Sequence, residues 1–129
     1  MNPASLLFRQ VHPNFLAAAG KLTSQAFMPF PKDHGGLSVY DGEQISANES
    51  FRHYTETLKR ASKGVWGVNN EEVTATDLSS RSDPLPDFPA HALIDFSDKS
   101  VNEQRKLAKK LARYAEARGC LYANTSIDS

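Results

Sequence analysis

The chain has 129 residues, of which 40% are hydrophobic, 23% charged and 9% aromatic, a composition typical of a folded globular domain. Fifteen acidic residues balance fifteen basic ones, so no overall field draws the protein to nucleic acid or to an anionic membrane. The single cysteine excludes an internal disulfide and a cysteine-rich zinc site. The N-terminus lacks a secretory signal pattern, and no apolar run approaches the roughly 18 to 20 residues that cross a bilayer. We therefore expect a soluble, cytoplasmic protein without a membrane segment.

The first third of the chain predicts three short strands. The run Leu6–Val11 is the first, and His12-Pro13 ends it because proline disfavours the helical conformation before it and cannot donate onward. A helical turn over residues 15–19 is expected next, closed by Gly20. Residues 24–28 and 37–40 predict the second and third strands, on either side of a loop that contains prolines and the pair Gly35-Gly36.

Two capping boxes predict the two main helices. The segment 46–49 has the S-x-x-E form of such a box and begins a helix that we expect to end at Gly64. The apolar residues of this helix fall on one face: Phe51, Tyr54, Leu58 and Ala61. The segment 100–103 has the same form and begins the longest helix, which is expected to end at Gly119.

The remaining segments complete the predicted order β, β, β, α, β, α, β, α, β. Strands are predicted at residues 65–68, 91–96 and 120–123. A short helix capped by Asn70 is predicted at residues 71–78. The proline-containing segment 79–89 is predicted to be an irregular surface loop. Because residues 65–68 and 120–123 are apolar on both sides of the pleat, they are predicted to be central strands, with Leu6–Val11 at an edge.

This order predicts an α+β fold. We expect a mixed β-sheet of five to six short strands, covered by two amphipathic helices and a short third helix. Residues 1–123 are predicted to form a single domain, and residues 124–129 a frayed C-terminal tail.

Four residues are candidates for one catalytic pocket. His12 and His91 lie at strand boundaries beside proline-containing turns, where a rigid scaffold can hold reactive groups. With Arg9 and Ser24 they would form a pocket in which histidine is the acid or base and Arg9 binds an anion. The alternative, which we favour from the sequence, is that these histidines cap strand ends and bond to loop carbonyls.

The glycine-flanked loop offers a candidate binding site. Its residues Lys32, Asp33 and His34 are suited to meeting a phosphate or a carboxylate. The alternative is structural, because an aspartate before a glycine pair is typical of a turn, where its carboxylate bonds the amides that follow.

The longest helix carries the concentrated basic surface of the chain, which includes Arg105, Lys109 and Arg113. Such a surface suits nucleic acid or an acidic protein partner. A lysine-rich face is more often simply solvated, and cations near a helix C-terminus suit its dipole. Because no aromatic residue is expected to interleave with these cations, nucleic-acid binding is the weakest alternative.

The sequence contains no motif for a metal or a nucleotide. It lacks H-x-x-x-H, H-E-x-x-H and C-x-x-C spacings, and His91 and Asp95 on one strand would lie roughly 13 Å apart. It also lacks a P-loop, a G-x-G-x-x-G loop and a G-x-S-x-G elbow. We therefore predict neither a metal site nor a cofactor.

One segment resembles a known family. Arg9 in a first strand, followed by TSQAF at 23–27, is similar to the opening of ADP-ribosyltransferase-type domains. The resemblance covers about the first quarter of the chain. It implies that Arg9 and Ser24 hold NAD and that a catalytic acid lies late in the sheet, where Asp95 alone is similarly placed.

Two functions follow as alternatives. The first is that of a small bacterial protein that binds another macromolecule, such as an accessory, immunity or antitoxin-like module with a protein partner or as a homodimer. The second is that of a small transferase or nucleotide-processing enzyme that uses Arg9, His12, Ser24 and His91. If these four side chains line one pocket, the enzyme is favoured.

Overall fold

The computed structural model describes residues 2–123, apart from the side chain of Lys32. Its strands are β1 (Leu6–Val11), β2 (Gly36–Asp41), β3 (Gly64–Asn69), β4 (Ser79–Ser82), β5 (His91–Asp95) and β6 (Tyr122–Ala123). Its α-helices are α1 (Ala47–Arg52), α2 (Asn70–Ala75) and α3 (Val101–Arg118). The strands form one sheet of six in the order β4-β5-β2-β1-β3-β6, which confirms the α+β class. The predicted tail, residues 124–129, lies outside the described residues.

The strand directions differ from the mixed sheet that the sequence predicted. All five pairings are antiparallel. Alternation along one strand shows which side chains share a face. Whether two neighbouring strands run parallel or antiparallel is decided by pairing between segments far apart in the chain. The sequence pattern therefore carried no information on the relative directions of the strands.

The expected positions of two strands are also reversed. β1 lies between β2 and β3, because it is buried on both faces, with Leu7 and Val11 in one core and Phe8 in the other. The strand expected in the centre at 120–123 is the two-residue edge strand β6, and Cys120 before it is exposed.

Two segments change their predicted class. Residues Ser24–Phe27 form a 3₁₀ turn and not a strand, since the Ala26 amide donates to Thr23 O at 3.1 Å and the Met28 amide to Gln25 O at 3.3 Å. The turn still buries Phe27 completely. Within the segment expected to be irregular, residues Ser79–Ser82 pair with β5 as an edge strand, because its prolines begin only at Pro84.

The helices cover opposite faces of the sheet. α3 packs Ala108, Leu111 and Ala115 against the core that contains Leu7 and Val39. The apolar stripe of α3 is therefore buried against this face of the sheet. The residues after β2 cover the other face, where Phe51 and Tyr54 pack against the core of Phe8 and Tyr40. No helix of the described part of the chain has the length and apolarity to cross a membrane.

The first helix is shorter than predicted and ends in a wider turn. Its capping box between Ser46 and Glu49 is present. After Arg52 the chain continues as a π turn over His53–Thr57, in which the Leu58 amide donates to His53 O at 3.0 Å. Lys59 then adopts a φ of 56°, a left-handed conformation that ends the helix before the expected Gly64.

Candidate functional site

A cavity of about 460 Å³ lies on the face of the sheet that α1 covers. Its walls come from β1, β2, β5, the end of the first helix and the proline-containing loop between β4 and β5. Its lining residues are Arg9, Ser38, Tyr54, Leu58, Arg60, Leu85, Pro86, Asp87, Phe88 and His91. Its volume falls within the range of about 300 to 1,000 Å³ that is typical of small-molecule sites.

The pairing of β2 with β5 brings a serine and a histidine together in this cavity. Ser38 lies opposite Leu93, and Tyr40 lies opposite His91, so Ser38 and His91 are diagonal neighbours on one face. Ser38 Oγ lies 3.0 Å from His91 Nε2. Ser38 is exposed to the cavity while His91 is buried, so the hydroxyl is accessible and its partner is held in place.

The second nitrogen of His91 contacts Asp83, which follows β4. His91 Nδ1 lies 2.9 Å from Asp83 O and 3.1 Å from Asp83 Oδ2. Both neighbours are acceptors, so in the neutral imidazole Nδ1 carries the proton and Nε2 is an acceptor. The hydroxyl of Ser38 therefore donates to Nε2, the arrangement in which histidine can take up a serine proton.

Arg9 lies in a gap between β1 and β2. These strands pair through Leu7 with Asp41 and Phe8 with Tyr40. Beyond these two pairs, the guanidinium of Arg9 joins β1 to β2 and to the turn Ser24–Phe27. Its Nε donates to Ala26 O at 2.7 Å and its Nη1 to Ser38 O at 2.9 Å. Within the described residues its Nη2 group makes no hydrogen bond, which leaves donors for a molecule in the cavity.

The cavity has two arginines that no carboxylate neutralises directly. Across residues 2–123, no carboxylate oxygen lies within 4.0 Å of the guanidinium of Arg9 or of Arg60. Burial lowers the pKa of Arg9, and the electrostatic effects of Tyr54 and Asp33 oppose this shift. An arginine remains charged under such conditions, so the cavity presents positive charge to its contents.

An aromatic cluster supports the floor of the cavity. The Tyr40 hydroxyl lies 2.6 Å from His53 Nδ1, and His53 Nε2 lies 2.8 Å from Asp87 O. Since a carbonyl can only accept, His53 donates through Nε2 and accepts from Tyr40 through Nδ1. Burial, with a further contribution from Tyr54, raises the pKa of Tyr40, which keeps the hydroxyl protonated as the donor. The ring of Phe88 packs 4.4 Å from Tyr40 and 4.7 Å from His91, and so fixes the histidine edgewise.

Of the four predicted catalytic residues, Arg9 and His91 line this cavity and the other two do not. His12 caps the turn Pro13–Phe15, where its Nδ1 accepts from the Asn14 amide at 3.0 Å and its ring packs on Phe15. Ser24 begins the turn Ser24–Phe27 and is absent from the cavity wall.

The four catalytic candidates selected from the sequence do not include Ser38, Asp83 or Tyr54. Ser38 lies between Leu37 and Val39, so strand alternation turns it to the opposite face from these core residues. That signal shows the orientation of Ser38 but not its partner, because the contact with His91 joins residues 53 positions apart.

Of the predicted binding residues of the glycine-flanked loop, His34 lines a groove and Asp33 does not. His34 lines a groove of about 630 Å³ against the start of α3, together with Phe30, Val101 and Arg105. We name this the Phe30 groove. Asp33 ends a 3₁₀ turn over Pro31–Asp33, and the side chain of Lys32 lies outside the described residues.

The predicted basic residues of α3 are likewise divided. Arg105 belongs to the Phe30 groove, whereas Arg113 lines a separate cleft of about 410 Å³ that also contains Lys110 and Tyr114. Tyr114 is exposed, so an aromatic residue does lie between cations here, contrary to the expectation from the sequence. Lys109 is exposed on α3 and lines neither of these sites.

A search of protein-family models, of curated proteins and of solved structures finds no match for this chain. The geometry also departs from what the ADP-ribosyltransferase-like opening implied. Ser24 is in a turn, and Asp95 accepts from Arg81 at 3.2 Å and from the Ser97 amide at 2.8 Å. Hydrogen bonds from Ser97 lower the pKa of Asp95, which favours an ionised structural carboxylate over a catalytic acid.

Proposed function

We propose that the protein is a small acyl-transfer enzyme in which Ser38 is the nucleophile, His91 the general base and Asp83 the group that orients His91. The observation that supports it is the chain of hydrogen bonds from Ser38 through His91 to Asp83, at the wall of a cavity. Nucleophile, base and orienting group in this relation activate a hydroxyl on unrelated folds. The proposal is a form of the enzyme alternative, with Ser38 in place of Ser24.

The proposed reaction uses only groups at the cavity wall. Ser38 Oγ attacks the carbonyl carbon of an ester, and its proton passes to His91 Nε2. The carbonyl oxygen becomes an oxyanion, which the charge of the adjacent Arg9 stabilises. As the ester C–O bond breaks, His91 returns the proton to the leaving alkoxide. Water then releases the acyl group by the same proton transfers.

A fluorophosphonate probe tests this proposal directly, because it forms a stable adduct only with an activated serine. We expect labelling of the wild-type protein at Ser38, located by mass spectrometry of the tryptic peptides. Ser38→Ala should not be labelled, and His91→Gln should be labelled far more slowly. Ser79→Ala, which changes an exposed serine of β4 outside the cavity, is the matched control and should be labelled like the wild type. Equal labelling of wild type and His91→Gln would refute the proposal.

A second candidate function is binding of a protein partner at the Phe30 groove, in line with the first alternative from the sequence. Two large apolar side chains in this groove are exposed, Phe30 at 47% and Val101 at 56%. Among the described residues that line the groove, Arg105 is charged and none is acidic. An apolar surface beside an arginine suits an acidic segment that carries an apolar anchor.

Site-specific photocrosslinking tests this second candidate. We expect a photoreactive phenylalanine at Phe30 to crosslink to a defined protein in cells, and the same group at Tyr114, on α3 outside the groove, not to do so. The purified partner should then bind the wild type and lose affinity for Arg105→Glu. A crosslink that is equal at both positions, or binding that ignores Arg105→Glu, would exclude the groove as the interface.

A further inference from the structure

The two cations of the cavity differ in their contacts with the proposed nucleophile. Arg9 is adjacent to it, because its Nη1 donates to the carbonyl of Ser38 itself. Arg60 comes from the chain after the π turn, where its amide donates to Tyr54 O at 3.1 Å. Its charge acts on the hydroxyl of Tyr40 and opposes the rise in the pKa of that group. Arg60 lines the same cavity, but within the described residues no hydrogen bond joins its guanidinium to Ser38.

From this division we infer that the cavity selects esters whose acyl chain ends in a second negative charge, with Arg60 as the residue that binds this charge. The inference rests on the proposed acyl-transfer function. Arg9 serves the oxyanion at the reacting carbonyl, and Arg60 serves the remote anion. A guanidinium suits both a carboxylate and a phosphate, because its planar donors match the oxygens of either group.

The apolar walls of the cavity suit the hydrocarbon part of such an acyl chain. Tyr54, Leu58 and Phe88 line the same cavity as the two arginines, and Leu85, another lining residue, is 44% exposed. Aliphatic and aromatic walls with a few polar groups that fix orientation are typical of small-molecule sites. Methylene groups between the ester and the remote anion would be buried against these side chains.

One acidic residue limits the positive charge of the cavity. Asp87 is the only carboxylate among the described residues that line it, while Arg9 and Arg60 are cations. The carbonyl of Asp87 holds His53, whereas its side chain is exposed. Removing the charge of Asp87 should therefore strengthen binding of an anionic chain, the opposite of the effect of removing Arg60.

A matched pair of esters tests the inference: mono-4-nitrophenyl glutarate, which ends in a carboxylate, and 4-nitrophenyl pentanoate, which has the same chain length and no charge. We expect the wild type to prefer the glutarate by about tenfold or more in kcat/KM, the effect of one charged hydrogen bond. Arg60→Gln should bring this ratio close to one, and Asp87→Asn should raise it. Arg52→Gln, an exposed arginine of α1 paired with Glu56, is the control and should keep the ratio of the wild type.

Binding to the Ser38→Ala protein separates the selectivity from the chemistry. Glutarate titrated into this variant should shift the amide NMR signals of the cavity residues, and the additional change Arg60→Gln should remove the shifts. Hydrolysis of both esters at equal rates, with no effect of Arg60→Gln, would overturn the inference and leave the proposed function standing. Glutarate binding that depends on Arg60 without hydrolysis of either ester would overturn the proposed function and support the anion site.

Discussion

Asp83 contacts one nitrogen of His91 twice, through its main-chain carbonyl at 2.9 Å and through its carboxylate at 3.1 Å. The first contact fixes the tautomer and does not depend on the side chain. The second adds a negative charge that stabilises the imidazolium formed when His91 takes a proton. The two contributions can be separated by mutation.

We predict that Asp83→Asn slows fluorophosphonate labelling of Ser38 by roughly ten- to a hundredfold, the range found when the partner that orients a metal-bound histidine is removed. The carbonyl of residue 83 still holds Nδ1–H, so the base remains in its working tautomer. His91→Gln removes the base and should slow labelling by about a hundred- to ten-thousandfold. A labelling rate of Asp83→Asn equal to that of the wild type would show that the carboxylate has no part in activation.

Arg9 is predicted to stabilise the fold as well as the site. Arg9→Met leaves Ala26 O and Ser38 O without the donors that now bond them, and Ala26 is completely buried. An unpaired buried acceptor, which the carbonyl of Ala26 would become, costs about 1 to 3 kcal/mol. Arg9→Lys should recover only part of this loss, because one ammonium cannot reproduce the Nε and Nη1 contacts together. Urea unfolding measures both variants, and stability unchanged in Arg9→Met would contradict the role in the strand gap.

Local signals in the sequence predicted where the two main helices begin, although the short helix α2 is capped by Asn69 and not by the predicted Asn70. The capping boxes of Ser46 with Glu49 and of Ser100 with Glu103 are both present, because each needs only residues three positions apart. The apolar segment 24–28 was assigned wrongly, since the same composition suits a buried turn and a strand. The tertiary environment decided between them.

The site was less accessible to sequence reasoning than the fold. Arg9, within a predicted strand, and His91, at the start of another, could be selected from the sequence as candidate reactive residues. The contact of Ser38 with His91 depends on the register between β2 and β5, and that of Asp83 with His91 depends on where the proline-containing loop turns. Neither property is encoded in a short window, because register is fixed by the packing of the whole sheet.

Two leucines in the apolar stripe of α3 look equivalent in the sequence, but the structure predicts that they contribute differently to stability. Leu111 is completely buried, whereas Leu107 is partly buried at the margin of the core. Leu111→Ala should lower the free energy of unfolding by about 2 to 5 kcal/mol, and Leu107→Ala by clearly less. Val101→Ala, at a position 56% exposed, is the control and should change stability by about 0.5 kcal/mol at most. Equal losses in the two leucine variants would contradict the position of α3 on the sheet.

The capping boxes predict how stability depends on acid. Hydrogen bonds from the Ser100 amide and then from its side chain lower the pKa of Glu103 from its ordinary value of 4.5, and Ser46 lowers the pKa of Glu49 in the same way. A carboxyl whose pKa is lower in the folded state stabilises the fold above its unfolded pKa, and this contribution is lost as pH falls through the folded pKa.

Glu103→Gln keeps an amide oxygen that can complete the box but removes the titrating charge. Its stability deficit relative to wild type should therefore be largest at about pH 6 and should shrink as pH falls through the lowered pKa of folded Glu103, below which the carboxyl is protonated in both the folded and the unfolded state. Glu49→Gln should behave alike, and the double variant should show the sum of the two deficits, because the boxes begin helices on opposite faces of the sheet. Urea unfolding across this range measures them, and a deficit that stays constant with pH would show that ionisation of the box carboxylate contributes nothing to stability.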